Sequence, residues 1–146
     1  MKRFTQLVCL TLVLSIVLTV PVSAMNSGSW ASNYFGSYSC YLWDVSSTGF
    51  KVWFDVRAVR TMAELGASTI KIQRSTDTVN WSSVKTYLKA NHTQMTTREG
   101  TGAYANYITF NDADPGYYYR AYVELYAADG SGTATRSVYT SHVYIP

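Results

Sequence analysis

The chain has 146 residues, of which 14% are charged and 15% are aromatic, with 13 tyrosines and 4 tryptophans. Its formal net charge is +3 at pH 7, from 12 basic and 9 acidic residues, and removal of Lys2 and Arg3 with an export signal lowers it to +1. A balance this close to neutral lacks the basic surface that nucleic-acid binding needs, so it excludes that class of partner.

An export signal occupies the N-terminus. Met1–Arg3 is basic, Leu7–Val20 is a mostly apolar run, and Pro21–Ala24 ends in small residues. This order predicts a secretory signal peptide over residues 1–24, cleaved near Ala24. An uncleaved membrane anchor is the weaker alternative, because the run is shorter than the roughly 20 apolar residues of a membrane span. We therefore expect a secreted, extracellular protein with no membrane span after cleavage.

Two cysteines are present, and Cys9 leaves with the signal peptide. Cys40 then has no partner in its own chain, so packing rather than a disulfide must hold the fold together. We expect Cys40 to be a small apolar residue within a strand, with pairing to another chain as the alternative. A nucleophilic thiol would need a basic partner, and His92 and His142 lie in no recognisable motif.

The rest of the chain has the pattern of strands and turns. Residues 25–33 are small and polar and predict a flexible lead-in to a single domain over residues 34–146. Apolar and polar residues alternate from Phe50 to Val59 and from Ser68 to Ser75, which is the period of half-buried strands. Turn signals separate such segments, and Leu65-Gly66 is one of them. Further strands are predicted around residues 38–45, 83–89, 104–110, 117–126 and 136–145.

About seven strands joined by short turns predict an all-β fold. The favoured architecture is an antiparallel two-sheet sandwich, because short strands at this spacing pack as two sheets face to face. An up-and-down barrel is the alternative.

The segment Phe110–Val123 carries a family resemblance. It places Pro115-Gly116 directly before Tyr117–Tyr119, which resembles the turn between strands E and F of fibronectin type III domains. Ala113 departs from the pattern, since the family usually has leucine two residues before the proline. Other segments follow in the order of that family, namely Ile70–Asp77 with Trp81 as strand C and its turn, Ala128–Gly132 as the F–G turn, and Ser141–Ile145 as strand G.

The resemblance covers Phe50 to Ile145 and implies a fibronectin type III or immunoglobulin-like β-sandwich. It also implies that Tyr119 is the corner tyrosine, whose ring lies in the core and whose hydroxyl bonds the backbone of the preceding turn. The whole chain resembles uncharacterised small secreted bacterial proteins of this type. Such a sandwich carries many unrelated functions, so the resemblance implies a fold and no chemistry.

No group of residues forms a catalytic or cofactor motif. A Gly-x-Ser-x-Gly elbow is absent, and no spacing of Cys and His matches a zinc site. Asn111, Asp112 and Asp114 form a short acidic loop, with calcium binding as a minor alternative, although the spacing differs from an EF-hand. Loop aspartates beside Asn, Pro and Gly are usually turn formers. We expect a protein that is not an enzyme and binds no cofactor or metal.

Exposed aromatic side chains are the remaining functional signal. Alternation from Tyr119 directs its even-numbered neighbours on the same strand outward, and in a sandwich that strand lies beside the strand from Ser68 to Ser75. Tyrosine with arginine is a composition that interface hot spots favour. The alternative is that Arg120 pairs with Glu124 and leaves an inert, solvated sheet. The predicted binding face consists of Tyr118, Arg120, Tyr122, Tyr126, Lys71 and Gln73.

These observations favour a secreted, non-enzymatic binding module of bacterial type. Its expected partner is a protein or glycan at the cell surface or in the medium. The alternative is a small secreted effector, such as an antimicrobial protein or an enzyme inhibitor, that acts through a loop. The loops at Asn111–Gly116 and Asp129–Gly132 are then the places to look.

Overall fold

Strands make up most of the part of the chain that the structure describes. The computed structural model describes residues 26–28 and 33–146, so the predicted signal peptide and its cleavage site lie outside the described residues. These ranges contain one short 3-10 turn, Thr93–Met95, and no helix that is long and apolar enough to cross a membrane. The strands are β1 Asn26–Gly28, β2 Phe35–Trp43, β3 Phe50–Met62, β4 Glu64–Ser75, β5 Ser82–Leu88, β6 Thr96–Thr97, β7 Thr101–Phe110, β8 Tyr117–Asp129, β9 Gly132–Tyr139 and β10 Val143–Ile145.

The strands form two antiparallel sheets, which confirms the predicted fold class. The four-stranded sheet has the order β1-β2-β3-β7. The six-stranded sheet has the order β10-β8-β4-β5, with β6 paired to β4 and β9 paired to β8. Strands beyond the predicted seven are short: β6 is two residues long, and the strand predicted around 136–145 is divided into β9 and β10. β1 pairs with β2 from within the segment that the sequence assigns to a lead-in.

Side chains from the inner surfaces of both sheets form one hydrophobic core. On β3 and β8 buried side chains alternate with more accessible ones, as the period-two pattern predicts. Burial of apolar surface stabilises a fold by about 25 cal/mol per Å². Packing of this core is therefore the main source of stability. The fully buried residues of the two strands are Val52, Phe54, Val56, Tyr119, Ala121, Val123, Leu125 and Ala127.

Tyr119 joins the core to the turn that precedes β8. Its side chain is completely buried, and its ring centre lies 5.7 Å from that of Phe50 and 5.9 Å from that of Phe110. Its hydroxyl oxygen accepts a hydrogen bond from the Asp114 amide at 2.8 Å and donates one to the Asp114 carbonyl at 3.4 Å. The predicted role of this tyrosine, a core ring with a hydroxyl on the turn backbone, is confirmed.

Leu65-Gly66 is not the turn that the sequence predicts, because both residues lie inside β4. The chain passes from β3 to β4 at Ala63, one residue before β4 begins. Gly66 has a φ of +151°, and a Cβ at this position would lie 2.1 Å from the Met95 carbonyl oxygen. Glycine is therefore needed here because the segment at Met95 and Thr96, which pairs with β4, approaches too closely to leave room for a side chain.

Cys40 is an inert core residue of β2. Its side chain is 1% exposed, and burial, followed by the negative charge of Asp55, raises the pKa of its thiol to about 12. A thiol with such a pKa stays protonated near neutral pH, so it is a poor nucleophile. The expectation of a small apolar residue in a strand is confirmed.

Candidate binding face

The six predicted site residues lie together on the outer side of the six-stranded sheet. In the pairing of β4 with β8, Gln73 is opposite Arg120 and Lys71 is opposite Tyr122. Lys71 is exposed, and the other five side chains are half-buried. We call this surface, together with Trp81 and Tyr139, the Arg120 face.

Arg120 is fixed between two aromatic rings. The carbon at the centre of its guanidinium lies 4.3 Å from the ring centre of Trp81 and 4.5 Å from that of Tyr139. Its Nε donates a hydrogen bond to Gln73 Oε1 at 2.9 Å. Stacking of a guanidinium on aromatic faces is favourable and holds its plane in one orientation. The sequence identified Arg120 but not the two rings that clamp it.

The two terminal nitrogens of Arg120 are accessible. Within the described part of the chain they make no hydrogen bond, since the guanidinium bonds through Nε alone. No buried side-chain nitrogen or oxygen in these residues lacks a hydrogen-bond partner. The unpaired nitrogens are therefore not completely buried and remain in contact with solvent.

Glu124 does not neutralise Arg120. Its Oε1 accepts hydrogen bonds from Ser68 Oγ at 2.5 Å and from Thr69 Oγ1 at 3.5 Å. Its Oε2 accepts one from the Tyr122 hydroxyl at 3.4 Å. The alternative of an inert Arg120–Glu124 pair is therefore not what the structure contains.

The loop between β4 and β5 places Trp81 on Arg120. Asp77 Oδ1 accepts hydrogen bonds from the amides of Asn80 at 2.8 Å and Val79 at 2.9 Å, which close the loop on one carboxylate. The Trp81 indole nitrogen donates to the Thr78 carbonyl at 3.0 Å and so fixes the ring. Hydrogen bonds to Asp77, first of all from the Asn80 amide, hold the pKa of its carboxyl well below the usual range.

Replacing Asp77 with alanine is expected to release this loop. The amides of Val79 and Asn80 should then exchange their protons about tenfold faster, because they lose their acceptor. Asp77→Asn keeps an acceptor oxygen, so its exchange rates at these two amides should lie between those of the native protein and those of Asp77→Ala. Folding lowers the pKa of Asp77. The stabilisation of the loop by its carboxylate is therefore fully present above about pH 5 and is lost as the pH falls below about 4.

NMR measures both effects, through amide exchange and through the indole NH resonance of Trp81 during an acid titration. Exchange rates that are equal in the native protein and in Asp77→Ala would show that the carboxylate does not organise the loop.

Further rings continue the Arg120 face toward β10. The Tyr118 ring centre lies 5.0 Å from that of Tyr144 and 5.6 Å from that of His142, and the His142 ring is 6.1 Å from Trp81. On the other side, Tyr122 and Tyr139 are 5.3 Å apart. The face is therefore a connected row of rings rather than isolated tyrosines.

Cations cover the tyrosines at the other end of the face. Lys71 Nζ is 5.5 Å from the centre of the Tyr122 ring, and Lys89 Nζ is 3.4 Å from that of Tyr126. Lys89 is also paired with Glu64 at 3.2 Å, whereas Lys71 forms no ion pair within the described residues. Lys71 and Arg120 are thus two cations on neighbouring strands without an ion pair in the described residues, and with Glu124 they leave this part of the face one positive charge in excess.

A second aromatic patch lies on the outer side of the four-stranded sheet, outside the predicted binding face. Trp43 is 50% exposed, and the Trp53 ring lies 6.3 Å from those of Trp43 and Tyr107. Lys51 Nζ lies 4.8 Å from the Trp43 ring but is neutralised by Asp44 at 2.7 Å. The outward position of Trp53 in the alternation of β3 was the available signal.

The histidines contact aromatic rings, and the loop aspartates Asp112 and Asp114 contact basic side chains. His92 lies against Tyr87, with ring centres 5.1 Å apart, beside a shallow cleft of about 370 Å³ between β5 and β7. Asp114 pairs with Arg74, and Asp112 lies 3.9 Å from Lys85. Residues 33–146 contain no cluster of three or more side chains suited to hold a metal ion.

No family model, curated protein or solved structure matches this chain. Its function is therefore inferred from the geometry and charge of the Arg120 face.

Proposed function

We propose that this protein is a secreted, non-enzymatic binding module that recognises its partner through the Arg120 face. The observation that carries the proposal is the guanidinium of Arg120, clamped between Trp81 and Tyr139 with its terminal nitrogens accessible. A side chain that is fixed before binding loses little conformational entropy when the complex forms. Tyrosine, tryptophan and arginine are also the residues that dominate interface hot spots.

The same proposal includes a fibronectin type III-like sandwich as the scaffold. The order β2-β3-β7 in one sheet and β5-β4-β8-β9 in the other supports this, as does the tyrosine hydroxyl on the turn before β8. In such a scaffold β4, β8 and β9 are neighbours, so their outer side chains form one continuous surface. The signal-like segment 1–24 supports export to the cell surface or the medium, where a protein or glycan partner is available.

Two matched double variants of the mature protein test the role of the face. Tyr118→Ala with Tyr122→Ala removes two rings from the Arg120 face, and Tyr41→Ala with Tyr107→Ala removes two tyrosines from the opposite sheet. After circular dichroism shows that both are folded, capture of partners from cell-surface and culture-fluid fractions is compared. We expect the first variant to lose the captured partner, because hot-spot aromatics account for most of the binding energy, and the second to retain it. Full retention by the first variant would place the site elsewhere.

A further inference from the structure

We infer that the Arg120 face binds an acidic polypeptide segment in an extended conformation, with one carboxylate on the guanidinium fork of Arg120 and a second on Lys71. This inference rests on the proposed function and adds the chemical class of the partner. It follows from the charges on the face, from the spacing of the two cations and from the cations that already lie on the faces of the aromatic rings.

The charges on the face favour an anionic partner. Arg120 and Lys71 form no ion pair within the described residues. Glu124, diagonal to Lys71, keeps its negative charge while it accepts hydrogen bonds from hydroxyls, so these three side chains together carry one excess positive charge. The guanidinium plane is fixed on both sides, and its outer edge presents two parallel N–H donors. Carboxylates bind this edge in a bidentate manner, which gives stronger and more directional hydrogen bonds than a point charge gives.

The spacing of the two cations matches an extended peptide. Because Gln73 is opposite Arg120 and Lys71 is opposite Tyr122, Arg120 and Lys71 are diagonal neighbours on adjacent strands. Such diagonal pairs have their side chains about 7–8 Å apart. In an extended chain, residues i and i+2 point to the same side and lie about 7 Å apart. An acidic–x–acidic sequence therefore brings one carboxylate to each cation.

The rings of this face favour a polypeptide over an acidic sugar polymer. Sugar rings bind protein aromatics by lying on an open ring face. Here the guanidinium of Arg120 occupies faces of Trp81 and Tyr139, and lysines lie near the faces of Tyr122 and Tyr126. Around Arg120 and Lys71 the face therefore presents cations, ring edges and hydroxyls, and these suit the side chains and backbone of a peptide.

The probe is a fluorescein-labelled peptide of alternating glutamate and threonine, with alternating glutamine and threonine as the uncharged control. Fluorescence anisotropy at low ionic strength measures binding to the mature protein. Arg120→Gln is expected to weaken binding of the glutamate peptide about tenfold, because a bidentate charge-assisted contact is lost. Arg120→Lys keeps the charge but loses the fork, and should weaken binding to an intermediate degree. Lys71→Gln should weaken it about threefold.

Arg57→Gln is the matched control, because Arg57 is exposed on the outer side of the opposite sheet and its replacement removes the same charge. Binding that is unchanged in this variant and lost in Arg120→Gln supports the inference. Equal losses in both variants would mean attraction by net charge alone and overturn it. Tighter binding of polygalacturonate than of the glutamate peptide, also abolished by Arg120→Gln, would overturn the choice of a polypeptide.

Absence of binding between the native protein and the glutamate peptide would also overturn the inference. Partner capture by the Tyr118/Tyr122 and Tyr41/Tyr107 double variants decides the proposed function independently, so the two failures are distinguishable. Circular dichroism and the urea midpoint of each variant show that lost binding is not lost folding.

Discussion

Replacing Tyr119 with alanine is expected to lower the free energy of unfolding by about 3–5 kcal/mol, the range for truncating a large buried aromatic side chain. The ring is completely buried against Phe50 and Phe110, so its removal leaves a cavity at the junction of both sheets. Tyr119→Phe keeps the ring and removes the hydroxyl bonded to Asp114, which should cost about 1 kcal/mol. Urea denaturation followed by tryptophan fluorescence measures both values.

Tyr144→Ala is the control for this pair of variants. Tyr144 lies on β10 of the same sheet, but its side chain is 51% exposed, so its truncation should change the free energy of unfolding by no more than about 0.5 kcal/mol. Unchanged midpoints for both Tyr119 variants would contradict the role assigned to this residue.

Gly66→Ala is expected to be the other strongly destabilising change, at about 3 kcal/mol. The new methyl group would lie 2.1 Å from the Met95 carbonyl oxygen, and the φ of +151° is itself unfavourable for alanine. Relief requires β4 and the segment that carries Met95 to move apart, which disrupts the pairing of Gly66 with Thr96.

Gly130→Ala makes the same chemical change at a position where the new Cβ meets no atom within 4 Å. Its free energy of unfolding should stay within about 0.5 kcal/mol of the native value. Thermal or urea denaturation compares the two variants, and equal midpoints would show that the close approach of the Met95 segment to Gly66 relaxes without cost.

The sequence predicts the part of the fold that depends on local alternation. β3 and β8 each bury every second residue over a long run, so their facing follows from the period alone. The role of Gly66 does not follow in this way. The residue that forbids a side chain there, Met95, belongs to the 3-10 turn that follows β5 and lies about 30 positions further along the chain. A glycine in a strand pattern looks the same whether it makes a turn or allows another backbone segment to approach closely.

The Arg120 face is likewise predicted by the sequence only in part. The outward direction of Arg120 and its place beside Gln73 follow from period-two alternation and strand order. The clamp does not, because Trp81 comes from a loop whose shape depends on hydrogen bonds to Asp77, and Tyr139 comes from the end of β9. The partner that the sequence suggested for Arg120, Glu124, is instead bound by Ser68, which a register shift in β4 brings within reach.

The pairing of β4 with β8 also bears on how fast the chain folds. This ladder runs from Glu64 opposite Ala128 to Ser75 opposite Tyr118, so even its nearest partners are separated by roughly 40 residues of chain. The entropy of closing that loop must be lost before the ladder and the core beneath it begin to offset it. Sheets built on such distant pairings refold in milliseconds to seconds, far more slowly than helical domains of similar size. The Arg120 face requires β4 and β8 to be side by side, so it forms only once this slow ladder has closed.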